Sequence, residues 1–411
     1  MSEPVYWDPD RLDEIVSERA RILGRQVWAA ARPSAGPVIS FAGGLPDIPS
    51  LPGELLLKAA RTVIDREQKE ALQYGGTFGP EPLRQAVASR SSEIEQLDLT
   101  SDQVIITSGS AHGIGIICEA LIDPSDIILV ESPNFPGSMR TFRTFGAELV
   151  AVPMDDDGLI VEELEAALEK LAAEGKRAKL LYTIPTHQNP AGCTMPLERR
   201  QRVVELAKKY HFLIMEDDAY GELWFDDEPP PSLYSLSGGQ HAIKVCTFSK
   251  IIATGLRMGW ILAPEALITR TAAVRYDMGT SPFQGRVIAE MINNGDLERH
   301  IGRLRAIYKK KLERVEESLA RYCGDFCTYV KPAGGFFLWL LLRPGIPYAE
   351  VQRVAGERGV IVGGGPQFHA DGASSNHLRL AFSYVPIEDI EQGINLLGEA
   401  MTEVASAVGV K

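Results

Sequence analysis

Between about residue 100 and residue 247 the chain alternates short uninterrupted runs of apolar residues with longer amphipathic stretches. The runs are QVIIT, DIILV, ELVAVPMD, AKLLYTIP, FLIM and AIKVC; between most of them lie AHGIGIICEALI, RTFRTFG, VEELEAALEKLAAE and RRQRVVELAKKYH. A strand built almost wholly of Val, Ile and Leu has no face for water, so both of its faces must be covered. Helices between successive strands supply that cover, and the pattern predicts an α/β fold with a mostly parallel sheet between two helical layers. Upstream, RLDEIVSERARILGRQVWAAA (11–31) has helical spacing and leads into the Gly/Pro-rich ARPSAGPVISFAGGLPDIPSLP, an arm followed by a hinge.

With 411 residues, 45% hydrophobic and 24% charged, the chain can bury one large core and a smaller one. A formal net charge of −13 without any basic stripe argues against nucleic acid as a partner. The five cysteines are odd in number and scattered, mostly in apolar runs, which suits reduced core thiols better than disulfides. Cys323 and Cys327 lack the companions of a metal site, so no metal is expected. The first residues, MSEPVYWDPDRLDEIV, are acidic and carry no apolar run, and nowhere do 18 uncharged apolar residues follow one another. A cytoplasmic location without membrane attachment is expected.

In a sheet of this kind ligands gather beyond the carboxyl ends of the strands. After QVIIT comes Ser108-Gly109-Ser110-Ala111-His112, a small-residue turn opening a helix, where free N–H groups and the helix dipole favour a phosphate. THQNPAG follows KLLYTIP and places Asn189 before Pro190, with a side chain able to donate to a ring oxygen. EDDAY follows FLIM, and a carboxylate at a buried strand end needs a cationic partner such as a protonated pyridine nitrogen. TFSKIIATGLRMGW puts Lys250 in an apolar setting with Arg257 seven residues on. Lysine there is either one half of a salt bridge or a Schiff-base amine, and arginine suits phosphate. A phosphate cradle, an acid for a ring nitrogen, a donor for a ring hydroxyl and an amine for an aldehyde together describe pyridoxal 5′-phosphate.

SGS, PTHQNPAG, EDDAY, TFSK with GLRMGW, and NHLRL stand in the order seen in class I/II pyridoxal-phosphate aminotransferases of fold type I, and the chain resembles that family over nearly its whole length. SFAGGLPD, PTHQNPAG and EDDAYGELWF are most similar to the branch with 2-aminoadipate, lysine-biosynthetic and kynurenine aminotransferases. The resemblance implies an arm over 1–50, a large cofactor domain over 51–290 and a small α+β domain built from the arm and 291–411.

Carried over residue by residue, it makes Lys250 the Schiff-base lysine and proton shuttle, with Asp217 the partner of the pyridine nitrogen and Asp218 turned elsewhere. Tyr220 and Asn189 would hold the ring hydroxyl, and Phe135 in SPNFPG would lie against the ring face. Ser110, the N–H groups of Ala111 and His112, Thr247, Ser249 and Arg257 would hold the phosphate. Tyr74 would reach the phosphate of a neighbouring subunit, which implies a homodimer with shared sites. Arg379 would clamp the substrate carboxylate, and Gly44 would border the substrate.

The expected reaction moves an amino group from an L-amino acid to a 2-oxo acid, with 2-oxoglutarate the expected acceptor, by a ping-pong mechanism. The same apparatus serves racemases, lyases and oxidases, and the same fold serves as a sensing module of transcription regulators. The acidic charge and the short stretch before the body, about 50 residues, speak against the last.

Ala111, His112, Thr247 and Thr254 depart from the common family pattern, and His112 is open to two readings, a helix cap or a pocket wall. The other histidines, His187, His211, His241, His300, His369 and His377, are assigned no chemistry. KKKLERVEE (309–317) is expected to be the solvated face of a long helix. Arg19, Arg21, Arg25 and Arg32 are candidates for an acidic substrate side chain, and Trp28 for an aromatic one.

Overall fold

A computed structural model of the protein describes residues 12, 14–23, 38–373 and 375–410. Its strands in chain order are β1 (Ile39–Ser40), β2 (Val104–Thr107), β3 (Ile127–Ser132), β4 (Glu148–Asp155), β5 (Gly158–Leu159), β6 (Ala178–Thr183) and β7 (Leu213–Asp218). They continue with β8 (Ala242–Thr247), β9 (Gly259–Leu262), β10 (Cys327–Thr328), β11 (Phe337–Leu342), β12 (Val360–Ile361), β13 (Gly363–Gly364) and β14 (His377–Ala381).

Eight strands form the central sheet in the order β2-β9-β8-β7-β6-β3-β4-β5. From β8 to β4 every pairing is parallel, while β9 runs against both of its neighbours. The expected apolar runs become strands, and their alternation divides the core in two. Ile105, Ile128, Val130, Leu180, Met215, Val245 and Ile261 pack with the helix Ser110–Leu121 on one face. Val104, Ile106, Leu129, Leu181, Ile214 and Leu262 meet helices on the other. Two apolar faces, each needing a helical layer, make the α/β/α arrangement the sequence predicts.

The C-terminal third carries a second, antiparallel sheet, β10-β11-β14-β13, beside the long helices Asp296–Tyr322 and Ile387–Val408. The chain's early segment packs beside it: β1 and β12 form a separate two-stranded sheet, and the Ala381 N–H of β14 donates to the Phe41 carbonyl at 2.7 Å.

The 309–317 run departs from expectation. Lys311, Leu312 and Val315 are buried, and Lys311 Nζ lies 2.6 Å from Asp47 Oδ1 and 2.7 Å from the Ser383 carbonyl. A lysine in a basic run is solvated only where its helix faces water. This one faces the segment that follows β1. Of the N-terminal helix, Glu18–Leu23 is described, and Arg19 lies over the Phe145 ring at 4.7 Å; Arg25, Trp28 and Arg32 lie outside the described residues. Among those residues no helix is long and apolar enough to cross a membrane, no group of His, Cys, Asp and Glu could hold a metal ion, and the cysteines are free thiols.

Candidate active site

The parallel strands end along one edge of the sheet, and the motifs meet there. Asp217 is the penultimate residue of β7, and burial pushes its carboxyl up to about 6, with Asp218 adding and the Tyr182 hydrogen bond and Lys250 opposing. The Tyr182 hydroxyl, from β6, donates to Asp217 Oδ2 at 2.6 Å and lies 2.8 Å from Ser138 Oγ. Asp217 Oδ1 is buried with no partner. A buried carboxylate oxygen left unpaired costs free energy, so this one is kept for a donor the polypeptide does not supply. Asp218 points to the opposite face, where Lys244 Nζ stands 2.8 Å from it and 2.6 Å from Glu95. Against its burial, Lys244 holds Asp218 below the ordinary carboxylate value.

Lys250 follows β8, and its Nζ donates to the Gly44 carbonyl at 2.8 Å and sits 5.9 Å from the centre of the Tyr220 ring. Burial and the nearby Arg257 and Arg379 push the amine down to about 8, while Asp217 opposes them. Among the described residues no carboxylate pairs with it by direct contact, which leaves the salt-bridge reading of this lysine without a partner there. What remains is a desolvated amine that loses its proton more readily than a surface lysine, the form a nucleophile requires.

An anion seat lies at the start of the helix Ser110–Leu121, whose Ser110, Ala111 and His112 form the first turn. Gly109 has φ +85°, and a Cβ there would come within 2.6 Å of Arg257 Nη2, so only glycine admits the guanidinium. Arg257 donates to the Ser108 carbonyl at 3.1 Å and lies 3.4 Å from Ser249 Oγ; the Thr247 hydroxyl donates to Ser249 Oγ at 2.9 Å. His112 Nδ1 accepts from the Ser108 N–H at 3.0 Å, and its Nε2 lies 3.7 Å from Asp277. Its ring thus braces the turn ahead of the helix without capping it, since Gly109 is the N-cap and no side chain bonds the first helical N–H groups. Burial and Arg275 lower its pKa, favouring the neutral form.

Across the cleft, Asn189 follows β6 in a cis bond to Pro190; its Oδ1 accepts from Arg379 Nη1 at 2.8 Å, and its side chain hydrogen-bonds Tyr220. Arg379 also donates to the Ala42 carbonyl at 2.5 Å, while its Nε is buried without a partner. The guanidinium lies between the rings of Phe337 and Phe368, 4.7 and 4.9 Å from their centres. Gly44 is a close approach: a Cβ there would stand 2.6 Å from Phe337 and 3.7 Å from the Tyr220 hydroxyl. The first collision at Gly44 is thus with Phe337. Phe135 is half-buried before the helix Pro136–Thr144.

Tyr74 stands apart, 82% exposed, and touches none of these groups within its own chain. The sequence reading passed over Tyr182, Ser138, Phe337 and Phe368. Tyr182 was visible as a polar-tipped residue inside an apolar strand run. The others carried no local signal.

A desolvated lysine, a half-partnered acid and a helix-capped cationic seat at one sheet edge define an enzyme that works through an aldehyde cofactor with a phosphate and a basic ring nitrogen. The chain belongs to the aminotransferase class I and II family, whose model matches residues 38–397. It is 37% identical to aromatic-amino-acid aminotransferase 1 of Thermococcus litoralis, over 89% of this chain and 88% of that one. The multiple substrate aminotransferase of Thermococcus profundus superposes with a TM-score of 0.89 at 34% identity, covering 97% of this chain and all of the other. The alpha-aminoadipate aminotransferase of Thermus thermophilus, solved with N-(5′-phosphopyridoxyl)-L-leucine, superposes at 0.84 with 30% identity, covering 90% and 94%. The protein is a pyridoxal 5′-phosphate-dependent aminotransferase of fold type I.

Proposed function

We propose that the enzyme moves the amino group of an L-amino acid to a 2-oxo acid, 2-oxoglutarate, in two half-reactions at this one site, and that it works as a cytoplasmic homodimer. The observation that carries the reading is the pair of buried unpartnered atoms, Asp217 Oδ1 and Arg379 Nε, on two charged side chains that both act on the Lys250 amine. One lacks a donor and the other an acceptor. A protonated ring nitrogen and a substrate carboxylate answer those two needs.

Pyridoxal phosphate, when bound, supplies an electron sink for the pair left behind when the substrate Cα loses its proton. The residues do the rest. Asp217 keeps negative charge beside the ring nitrogen, and Tyr182 holds it there. Lys250 would hold the cofactor's aldehyde, and its Nζ is the base that would take the proton from the substrate Cα. Arg379 orients the substrate through its carboxylate, which aligns the Cα–H bond. Asn189 and Tyr220 would hold the ring oxygen, and Phe135 would take the ring face. Ser110, the N–H groups of Ala111 and His112, Thr247, Ser249 and Arg257 hold the phosphate. Gly44 would border the substrate, and its carbonyl accepts from Lys250 Nζ.

Tyr74, exposed in its own chain, is available to a second subunit's phosphate. Free cysteines suit a reducing compartment.

The test is a single turnover. An amino donor without acceptor should release one 2-oxo acid per site, discharge the visible band of the bound cofactor and then stop. Borohydride reduction beforehand should fix the cofactor on the peptide that contains Lys250. Steady product without acceptor, oxygen uptake, or an adduct on another lysine would refute the proposal.

A further inference from the structure

Near Asp217 lies another buried carboxylate, Glu131, the penultimate residue of β3, only 1% exposed and with no cation against it among the described residues. It accepts from the Thr183 hydroxyl, from the Ile184 N–H at 3.1 Å and from the Gln188 amide at 3.3 Å. Gln188, also 1% exposed, extends the connection in two directions. Its amide donates to the Pro133 carbonyl at 2.9 Å, and its Oε1 accepts from the Ala191 N–H at 2.7 Å. The backbone closes the same turn, with Gln188 N–H donating to the Cys193 carbonyl at 2.9 Å and Gly192 N–H to the Gln188 carbonyl at 2.7 Å.

The two segments that meet on this glutamine are the ones that leave β3 and β6 toward the cleft. Pro133 is two residues before Phe135, and Ala191 two after Asn189. Loops are held loosely unless their polar groups are tied, and a bridge between adjacent loops sets their separation. Asn189 in turn receives Arg379 at 2.8 Å, so the bridge reaches the carboxylate clamp on β14.

We propose that Glu131 and Gln188 are a positioning pair: they fix the distance between the Phe135 and Asn189 segments, and thereby both the seat of the cofactor ring and the aim of Arg379. The pair touches neither cofactor nor substrate. The proposal rests on the ring-facing roles given to Phe135 and Asn189 above.

The chemistry of the site separates geometry from charge. In Glu131→Gln the oxygen facing Ile184 and Gln188 is retained, and the new amide can donate to Thr183 once that hydroxyl turns round. In Gln188→Leu the volume is kept and the bridge is lost. Cofactor dissociation constants by equilibrium dialysis, KM and kcat for one donor, and the thermal midpoint of the cofactor-free protein should be measured for both.

Gln188→Leu should weaken cofactor binding and raise the donor KM, each about tenfold, a part of what the loss of its side-chain hydrogen bonds to Glu131, Pro133 and Ala191 costs the fold as a whole. Glu131→Gln should stay within about threefold of the parent in both, as the retained bonds require. A Gln188→Leu protein that lowers only the thermal midpoint, or a Glu131→Gln protein as impaired as Gln188→Leu, overturns the proposal. Should Gln188→Leu not fold, Gln188→Asn, polar but one methylene short of the Pro133 carbonyl, carries the same expectations. Borohydride capture on Lys250 in these variants keeps the tests apart: capture with unchanged constants refutes the positioning pair alone, whereas no capture on Lys250 even in the parent refutes the site reading itself.

Discussion

In the cofactor-free protein, Asp217→Asn should increase stability, and the gain should grow with pH. Burial raises this carboxyl from 3.8 to about 6, so the folded state holds the proton more tightly than the unfolded chain does. The aspartate protein therefore loses stability as pH rises from about 4 to about 6, and asparagine, which does not titrate, escapes that loss. The displacement corresponds to on the order of 3 kcal/mol in favour of the variant once pH exceeds about 6. The variant's amide leaves N–H groups where Oδ1 lacked a partner, but the protonated acid shares that defect below pH 6. The pH-dependent part is thus the diagnostic quantity. Urea unfolding of both cofactor-free proteins at about pH 4, 6 and 8 measures it directly. A stability difference that is constant across that range, or shrinks as pH rises, would refute the assignment of a buried, half-partnered carboxylate. Loaded with cofactor, the same variant should lose about 10²–10³ in kcat, the usual cost of removing a preorganised charge. A residue that destabilises the empty protein and drives the loaded one is a stability–activity trade-off.

Tyr182→Phe removes the hydrogen bond that favours ionised Asp217, so the acid limb of the kcat profile should move to higher pH; an unmoved limb with lower activity would mean Tyr182 only packs. Arg379→Lys keeps the charge but forfeits the planar stacking between Phe337 and Phe368, and should raise the donor KM by at least about tenfold with a smaller effect on kcat. Gly109→Ala brings a Cβ against Arg257 at a φ of +85° and should weaken retention of the cofactor, read by dialysis, whereas an unchanged affinity would remove the Gly109–Arg257 seat from the phosphate site. Mixing inactive Tyr74→Phe and Lys250→Ala chains should restore activity, because one site of the mixed dimer carries both lesions and the other neither; a monomer in sedimentation would exclude the shared site.

Much of the site was legible in the sequence because position along a strand is local information. Continuous Val/Ile/Leu runs dictate burial on both faces, burial on both faces dictates a covered parallel sheet, and a parallel sheet brings the residues after its strands to one edge. The segments that hold Gly109, Asn189, Asp217 and Lys250 all follow such runs, while the role expected of each residue within its segment came from the family resemblance. Alternation puts Asp217 and Asp218 on opposite sides of the sheet, but which of the two turns toward Lys250 came only from the family resemblance. Tertiary structure decided the rest. Arg379 and Asn189 are 190 residues apart and Lys250 and its Gly44 acceptor 206, so the second sheet and the segment after β1 had to fold against the first before either contact existed. Glu131 looks like any strand-end acid until Thr183, Ile184 and Gln188 close round it. Lys311 looks like any surface lysine until Asp47 arrives from 264 positions away. A residue's type limits what it can do, but burial and partners depend on distant chain, and they alone turn a charged side chain into an anchor, a clamp or a nucleophile.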